Sequence, residues 1–191
     1  MNSRFVKLTS FAILFLLVSI TVTQTIPVFA LASYGHPPSL GAGRFPFSDG
    51  LTINSKVFDI SKFSQKIDTQ NLAIGSSSSI TLKVFDNRGP TSITTGIVYL
   101  NIQGQVTDTS QSDTWIKYAV GKGVTVHDPH HLLGKVTASY SVGPPFGYIK
   151  FNITPASPMK ISTMVVSAWD DKNGAVYSTM FEAISFSKIV R

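Results

Sequence analysis

Val136-Thr137-Ala138-Ser139-Tyr140-Ser141-Val142-Gly143-Pro144-Pro145-Phe146-Gly147-Tyr148-Ile149-Lys150-Phe151-Asn152-Ile153 is the stretch that decides the fold class. Val136, Ala138, Tyr140 and Val142 alternate with Thr137, Ser139 and Ser141. Beyond the turn Gly143-Pro144-Pro145-Phe146-Gly147, Ile149, Phe151 and Ile153 alternate with Lys150 and Asn152. A period of two is the pattern of a strand with one face in the core and one in water. Two such runs about a Gly/Pro turn predict antiparallel neighbours.

The same period recurs on both sides. Ile80, Leu82 and Val84 alternate with Thr81 and Lys83, and Val98, Leu100 and Ile102 with Tyr99 and Asn101. Ile116, Tyr118 and Val120 alternate with Trp115 and Lys117. Met164, Val166 and Ala168 alternate with Thr163, Val165 and Ser167, where Val165 breaks the polar side. Turn residues separate the runs. Asp86-Asn87-Arg88-Gly89-Pro90 is one group. Asp170-Asp171-Lys172-Asn173-Gly174 is another, and its Asn-Gly suits the positive φ of a hairpin. Gly75-Ser76-Ser77-Ser78-Ser79 reads as a polar lead-in to the Ile80 run. No long 3.6-residue period and no 20–50-residue repeat appears after the N-terminal segment. The expectation is an all-β, immunoglobulin-like antiparallel sandwich over residues 51–191, with about seven to nine strands. The usual disulfide and its Trp partner are not available, so Trp115 and Trp169 are expected as large core or edge aromatics.

Composition bounds the chemistry. The 191 residues are 43% hydrophobic and 14% charged, enough apolar content for a core. With no cysteine, disulfide scaffolds, thiolate metal sites and cysteine nucleophiles are excluded. Glu182 is the single glutamate beside nine aspartates, which limits chemistry that needs paired glutamates.

The N-terminus has the form of an export segment. Arg4 and Lys7 precede the apolar run Phe11–Ile20, and Ala30-Leu31-Ala32 offers a small-residue cleavage site. Residues 1–32 are therefore expected to be a signal peptide, a hydrophobic export helix ahead of the sandwich. The alternative is an uncleaved membrane anchor through Leu8–Ala32, whose 25 residues can cross about 30 Å of hydrocarbon. Either way residues 33–191 face outward, secreted or held at the cell surface. Losing Arg4 and Lys7 lowers the charge from +6 to +4. Residues 33–50, rich in Gly and Pro, form an irregular lead-in that Phe45 and Phe47 tack to the domain.

Val126-His127-Asp128-Pro129-His130-His131-Leu132 is the densest chemical feature. His127, His130 and His131, with Asp128 assisting, are suitable ligands for copper, zinc or nickel. The competing reading is a solvated turn opened by Asp-Pro. A cut after Ser33 would expose Tyr34-Gly35-His36, whose amine, amides and imidazole suit square-planar copper. The favoured cut after Ala32 makes His36 fourth and spoils that chelate. Asn152-Ile153-Thr154 is an N-glycosylation sequon on the polar side of its run. Asp170, Asp171 and Asn173 partly match a calcium loop, but the bidentate Glu is missing. No phosphate loop or nucleophile elbow occurs, and nothing marks one serine for a Ser/His/Asp triad.

The lysines are scattered singly, so nucleic acid is not an expected partner. Lysine on strands also blocks edge aggregation. Three stretches, Ser112–Tyr118, Gly123–Pro129 and Met164–Asp170, resemble small exported β-sandwich proteins of ammonia-oxidising archaea across residues 75–190. That resemblance implies a cell-envelope setting in organisms that rely on copper, and it carries no activity. The sequence thus points to a non-enzymatic surface or binding module whose partners are envelope components and which needs no cofactor. The alternatives are a metal-binding envelope protein using copper or zinc, a filament subunit accepting a donor segment such as residues 33–50, and a β-scaffold hydrolase.

Overall fold

The computed structural model describes residues 35–41, 49–60 and 62–188. They form two sheets packed as a β-sandwich. The strands are β1 (Ser39–Leu40), β2 (Gly50–Ile53), β3 (Lys56–Asp59), β4 (Ser64–Lys66), β5 (Gln70–Ala73), β6 (Ser78–Phe85), β7 (Ile93–Ile102), β8 (Thr114–Ala119), β9 (Gly123–His127), β10 (Leu133–Gly143), β11 (Phe146–Pro155), β12 (Met159–Asp170) and β13 (Ala175–Ser187). The first sheet runs β10-β11-β6-β2-β3, with β1 also on β6. The second runs β4-β13-β12-β7-β8-β9, with β5 also on β13. β4 and β5 lie parallel to β13, and every other pair is antiparallel.

The core forms where the alternation places it. Ile80, Leu82, Val84, Ile149, Phe151 and Ile153 from the first sheet are all fully buried. They join one cluster with Val98, Leu100, Ile116, Met164, Val166 and Ala168 of the second. Side chains of the two inner faces interdigitate across such a layer. One contact is close enough to require glycine. A Cβ on Gly96 would meet Ile149 Cδ1 at 2.6 Å, so β7 is bare there to admit the β11 isoleucine.

Two expectations change. Twelve strands, β2 to β13, lie among the described residues after position 49, more than the seven to nine expected. The additional ones are short: polar pieces such as Ser64-Gln65-Lys66 bury too little to show an alternating pattern, and the apolar Gly50–Ile53 is only four residues long. The lead-in is also not wholly irregular. Ser39 and Leu40 pair with Phe85 and Val84, and Leu40 reaches the core at 5% exposure. Phe45 and Phe47 lie outside the described residues, as does the whole Leu8–Ala32 segment. Among the described residues no helix is long and apolar enough to cross a membrane.

β10 forms the outer edge of the first sheet. From Val136 to Gly143 it carries no charge and no proline, and Val142 is 48% exposed. The opposite edge, β3, carries Lys56 and Asp59. An uncharged edge is a template for strand pairing. Ser139→Lys on the exposed side should slow heat-induced aggregation, read by light scattering. The melting temperature should stay within the change of about 0.5 kcal/mol typical of surface substitutions.

Candidate functional site

The histidine segment folds as a turn in which His127, Asp128 and His130 each engage a different partner. His127 ends β9, opposite Trp115, and the two rings stack at 5.5 Å with a 20° interplanar angle. Asp128 then turns beneath. Its Oδ1 accepts from the Leu132 N–H at 3.0 Å and its Oδ2 from the Leu133 N–H at 2.7 Å. The His131 N–H donates to the Asp128 carbonyl, closing a turn with Pro129 at its second position, where proline's fixed φ suits it. His131 itself takes φ 52°. His130 takes a different partner, with Nε2 2.5 Å from Asp113 Oδ2. The four residues expected as ligands are therefore not brought to one point. Among the described residues no group of three His, Asp or Glu side chains is placed to hold a metal. His36 is exposed in the lead-in, and Tyr34 lies outside the described residues.

Asp128 thus holds two backbone donors beside the buried Leu132 and Leu133. Asp128→Ala should cost about 1–3 kcal/mol, because both donors lose their acceptor. A chemical-denaturation midpoint compared with wild type measures it.

Asp113 is the hub of a polar chain. Burial would raise its carboxyl pKa. Hydrogen bonds from Asn101, at 2.9 Å, and from His130 and Thr114 outweigh that and hold it below the ordinary aspartate value. A lowered folded-state pKa adds stability above the unfolded value, about 3.9. That stability is lost as pH falls through the folded value. Asn101→Ala should therefore shrink the loss of stability between pH 7 and pH 2, read from denaturation midpoints at each pH. Among the described residues no serine or threonine hydroxyl donates to a histidine. Ser112 Oγ instead donates to the Leu100 carbonyl at 2.7 Å.

The Asp170–Gly174 segment is a hairpin turn. Asp170 Oδ1 accepts from the Lys172 and Gly174 N–H groups, each at 2.8 Å. Asn173, at φ 64°, takes the left-handed position of a three-residue loop. A Cβ on Gly174 would meet Asp170 Oδ2 at 2.6 Å. Arg88, from the turn after β6, clamps this hairpin. Its Nη2 lies 2.9 Å from Asp170 Oδ2 and 3.3 Å from Asp86 Oδ2, and its Nη1 bonds to Asp171. The two acids of that partial calcium-loop match, Asp170 and Asp171, are engaged by this guanidinium, and Asp170 also by backbone donors.

Both outward faces carry rings; on the first sheet Phe85 and Phe146 meet edge to face at 5.9 Å, with Lys83 Nζ 4.0 Å from the Phe146 ring centre and Tyr148 opposite Lys83. On the first, Asn152 lies between Ser79 and Thr137, and Lys150 between Thr81 and Ser139. On the second, register aligns three rows. The first is Thr179, Val165, Tyr99, Trp115 and His127. The second is Tyr177, Ser167, Ile97, Lys117 and Thr125, and the third is Ala175, Trp169, Thr95, Ala119 and Gly123. Four large rings, Tyr99, Trp115, Trp169 and Tyr177, thus share one outer face, each half-buried. Trp169 and Tyr177 meet edge to face at 5.3 Å. Burial raises the Tyr99 hydroxyl pKa and Tyr177 adds to it, while the neighbouring Ser167 hydroxyl acts the other way.

An open cleft of about 230 Å³ lies in this face, lined by Thr94, Thr95, Ile97, Lys117, Trp169, Asp170 and Asn173. Thr94 Oγ1 donates to the Asp170 carbonyl at 3.2 Å, which fixes the cleft's inner end. Trp115 and Trp169, expected as core or edge aromatics, are half-buried on this outer face, where Tyr99 and Lys117 alternate with core residues. Their meeting depends on which strands pair, and no single run shows that. No family model matches the chain, and no curated protein matches it.

Proposed function

We propose that the chain is a non-enzymatic binding module of the cell surface, an immunoglobulin-like sandwich whose aromatic outer face receives its partner. The strand order supports the fold name. β2-β6-β11-β10 follows the A-B-E-D order, and β13-β12-β7-β8-β9 the G-F-C-C′-C″ order of a variable-type domain. The export-type N-terminus supports the location. One observation carries the binding reading. Four large aromatic side chains, two of them tryptophans, gather on one outer face with an open cleft beside Trp169, while the rings of the other face, Phe85, Phe146 and Tyr148, lie toward one end with Lys83 over Phe146. Half-exposed Trp and Tyr supply contact area at low entropic cost and dominate binding hot spots.

The test separates envelope material into polysaccharide, lipid and protein fractions and measures retention of the full chain on each. At least one fraction should retain it. Trp115→Ala with Trp169→Ala should weaken that retention by about tenfold or more, as loss of hot-spot residues does, while far-ultraviolet dichroism keeps the β signature. Retention unchanged in the double variant would put the site elsewhere. Turnover of a panel of glycosides, esters and peptides by the wild-type chain would refute the non-enzymatic reading.

A further inference from the structure

Lys117 sits in the middle of the aromatic face, exposed, and makes no salt bridge among the described residues. The acids at the rim are already engaged. Asp170 and Asp171 hold Arg88, and Asp113 holds Asn101 and His130. Among the described residues Lys117 is therefore the one cation lining a cleft of about 230 Å³, beside the Trp169 ring and the Thr95 hydroxyl, and it makes no ion pair there, while Asp170 on the same lining is bound to Arg88. We propose that this face binds an acidic polysaccharide, with the carboxylate of a uronic acid unit paired to Lys117. The proposal rests on the binding reading above and names its ligand class.

Three features favour that ligand. The first is charge complementarity, since an unpaired ammonium in a partly enclosed site recognises an anion. The second is the mixture of rings and small polar groups. The apolar C–H face of a pyranose packs on an aromatic ring, while threonine hydroxyls and the Asn173 amide can meet its hydroxyls. The third is extent. Trp169 pairs with Thr95, Thr95 with Ala119, and Ala119 lies four residues beyond Trp115 on β8. Sheet spacings then put the two tryptophans about 16 Å apart. A short oligosaccharide spans that distance and a single sugar does not.

A nucleic acid fits less well. Its bases also stack on aromatic rings, but it needs a cation for successive phosphates along its backbone. The three rows of this face carry one lysine and no arginine.

The experiment titrates the full chain in mild detergent with three probes: an oligogalacturonate, the same oligomer with its carboxylates methyl-esterified, and a single-stranded oligonucleotide. Tryptophan fluorescence and calorimetry report binding. The oligogalacturonate should bind and shift the tryptophan emission. The methyl ester should bind about tenfold more weakly, and Lys117→Ala should lose about the same factor, which is the scale of one charge-assisted contact. Lys117→Arg should keep most of the affinity. Equal binding of acid and ester overturns the acidic ligand and leaves the binding face standing. Binding of the oligonucleotide alone overturns the glycan. Binding of none of the three overturns the proposal, while retention on a protein or lipid fraction through Trp115 and Trp169 still supports the face as a site.

Discussion

Arg88→Met should lower the stability of the domain by about 3–5 kcal/mol, the largest effect expected of any single charged residue. The Asp86 and Asp170 side chains are 0% and 1% exposed, and both face the Arg88 guanidinium. Removing the cation leaves two buried carboxylates without a counter-charge. That penalty is distinct from the net worth of the ion pairs, which desolvation largely cancels in the folded protein. For a domain of this size the melting temperature should fall by about 10 °C. Arg88→Lys should fall between the two, because an ammonium lacks the fork that spans Asp86, Asp170 and Asp171. Asp171→Ala should cost under about 1 kcal/mol, since Asp171 is half exposed. Calorimetry on the four proteins orders them. Arg88→Met melting with the wild type would mean that the guanidinium does not hold the two turns together.

Phe151→Ala should cost about 3–5 kcal/mol by a different mechanism. Phe151 is 0% exposed and sits near the middle of β11, opposite Ala138 of β10 and Ile80 of β6. Truncation removes a ring from the interior and leaves a cavity that flanking β-branched residues cannot collapse to fill. Urea denaturation should show a lower midpoint with the slope kept, because the surface exposed on unfolding hardly changes. Lys150→Ala, one position away on the wet side, should shift the midpoint by no more than about 0.5 kcal/mol. If both variants unfolded at the same urea concentration, β11 would not present the faces described.

The contrast between those neighbouring positions explains what was legible in the sequence. Alternation is a local consequence of burying one side of a strand, so β6, β7, β8, β11 and β12 could be read from their own residues. Ser64-Gln65-Lys66 and Gln70-Asn71-Leu72-Ala73 could not, because they are strands only through β13, more than a hundred positions away. The candidate site divides the same way. His127-Asp128-Pro129-His130-His131 is conspicuous because its members are adjacent in sequence. On the turn Asp128 is taken up by the Leu132 and Leu133 N–H groups, His127 by Trp115 and His130 by Asp113, so conspicuousness did not become convergence. Tyr99, Trp115, Lys117 and Trp169 are spread over 70 positions and meet because β7 lies between β8 and β12.

Asn152 lies in a strand paired on both sides, next to Ser79 on β6 and Thr137 on β10. The Asn152 backbone is committed to both neighbours, so an enzyme that needs the sequon backbone free would have to act before the sheet closes. The small neighbours would still leave room for a sugar attached beforehand. For such an enzyme, occupancy of the sequon would be a race between two rates. A glycan on Asn152 would then record that transfer outran collapse of the sandwich.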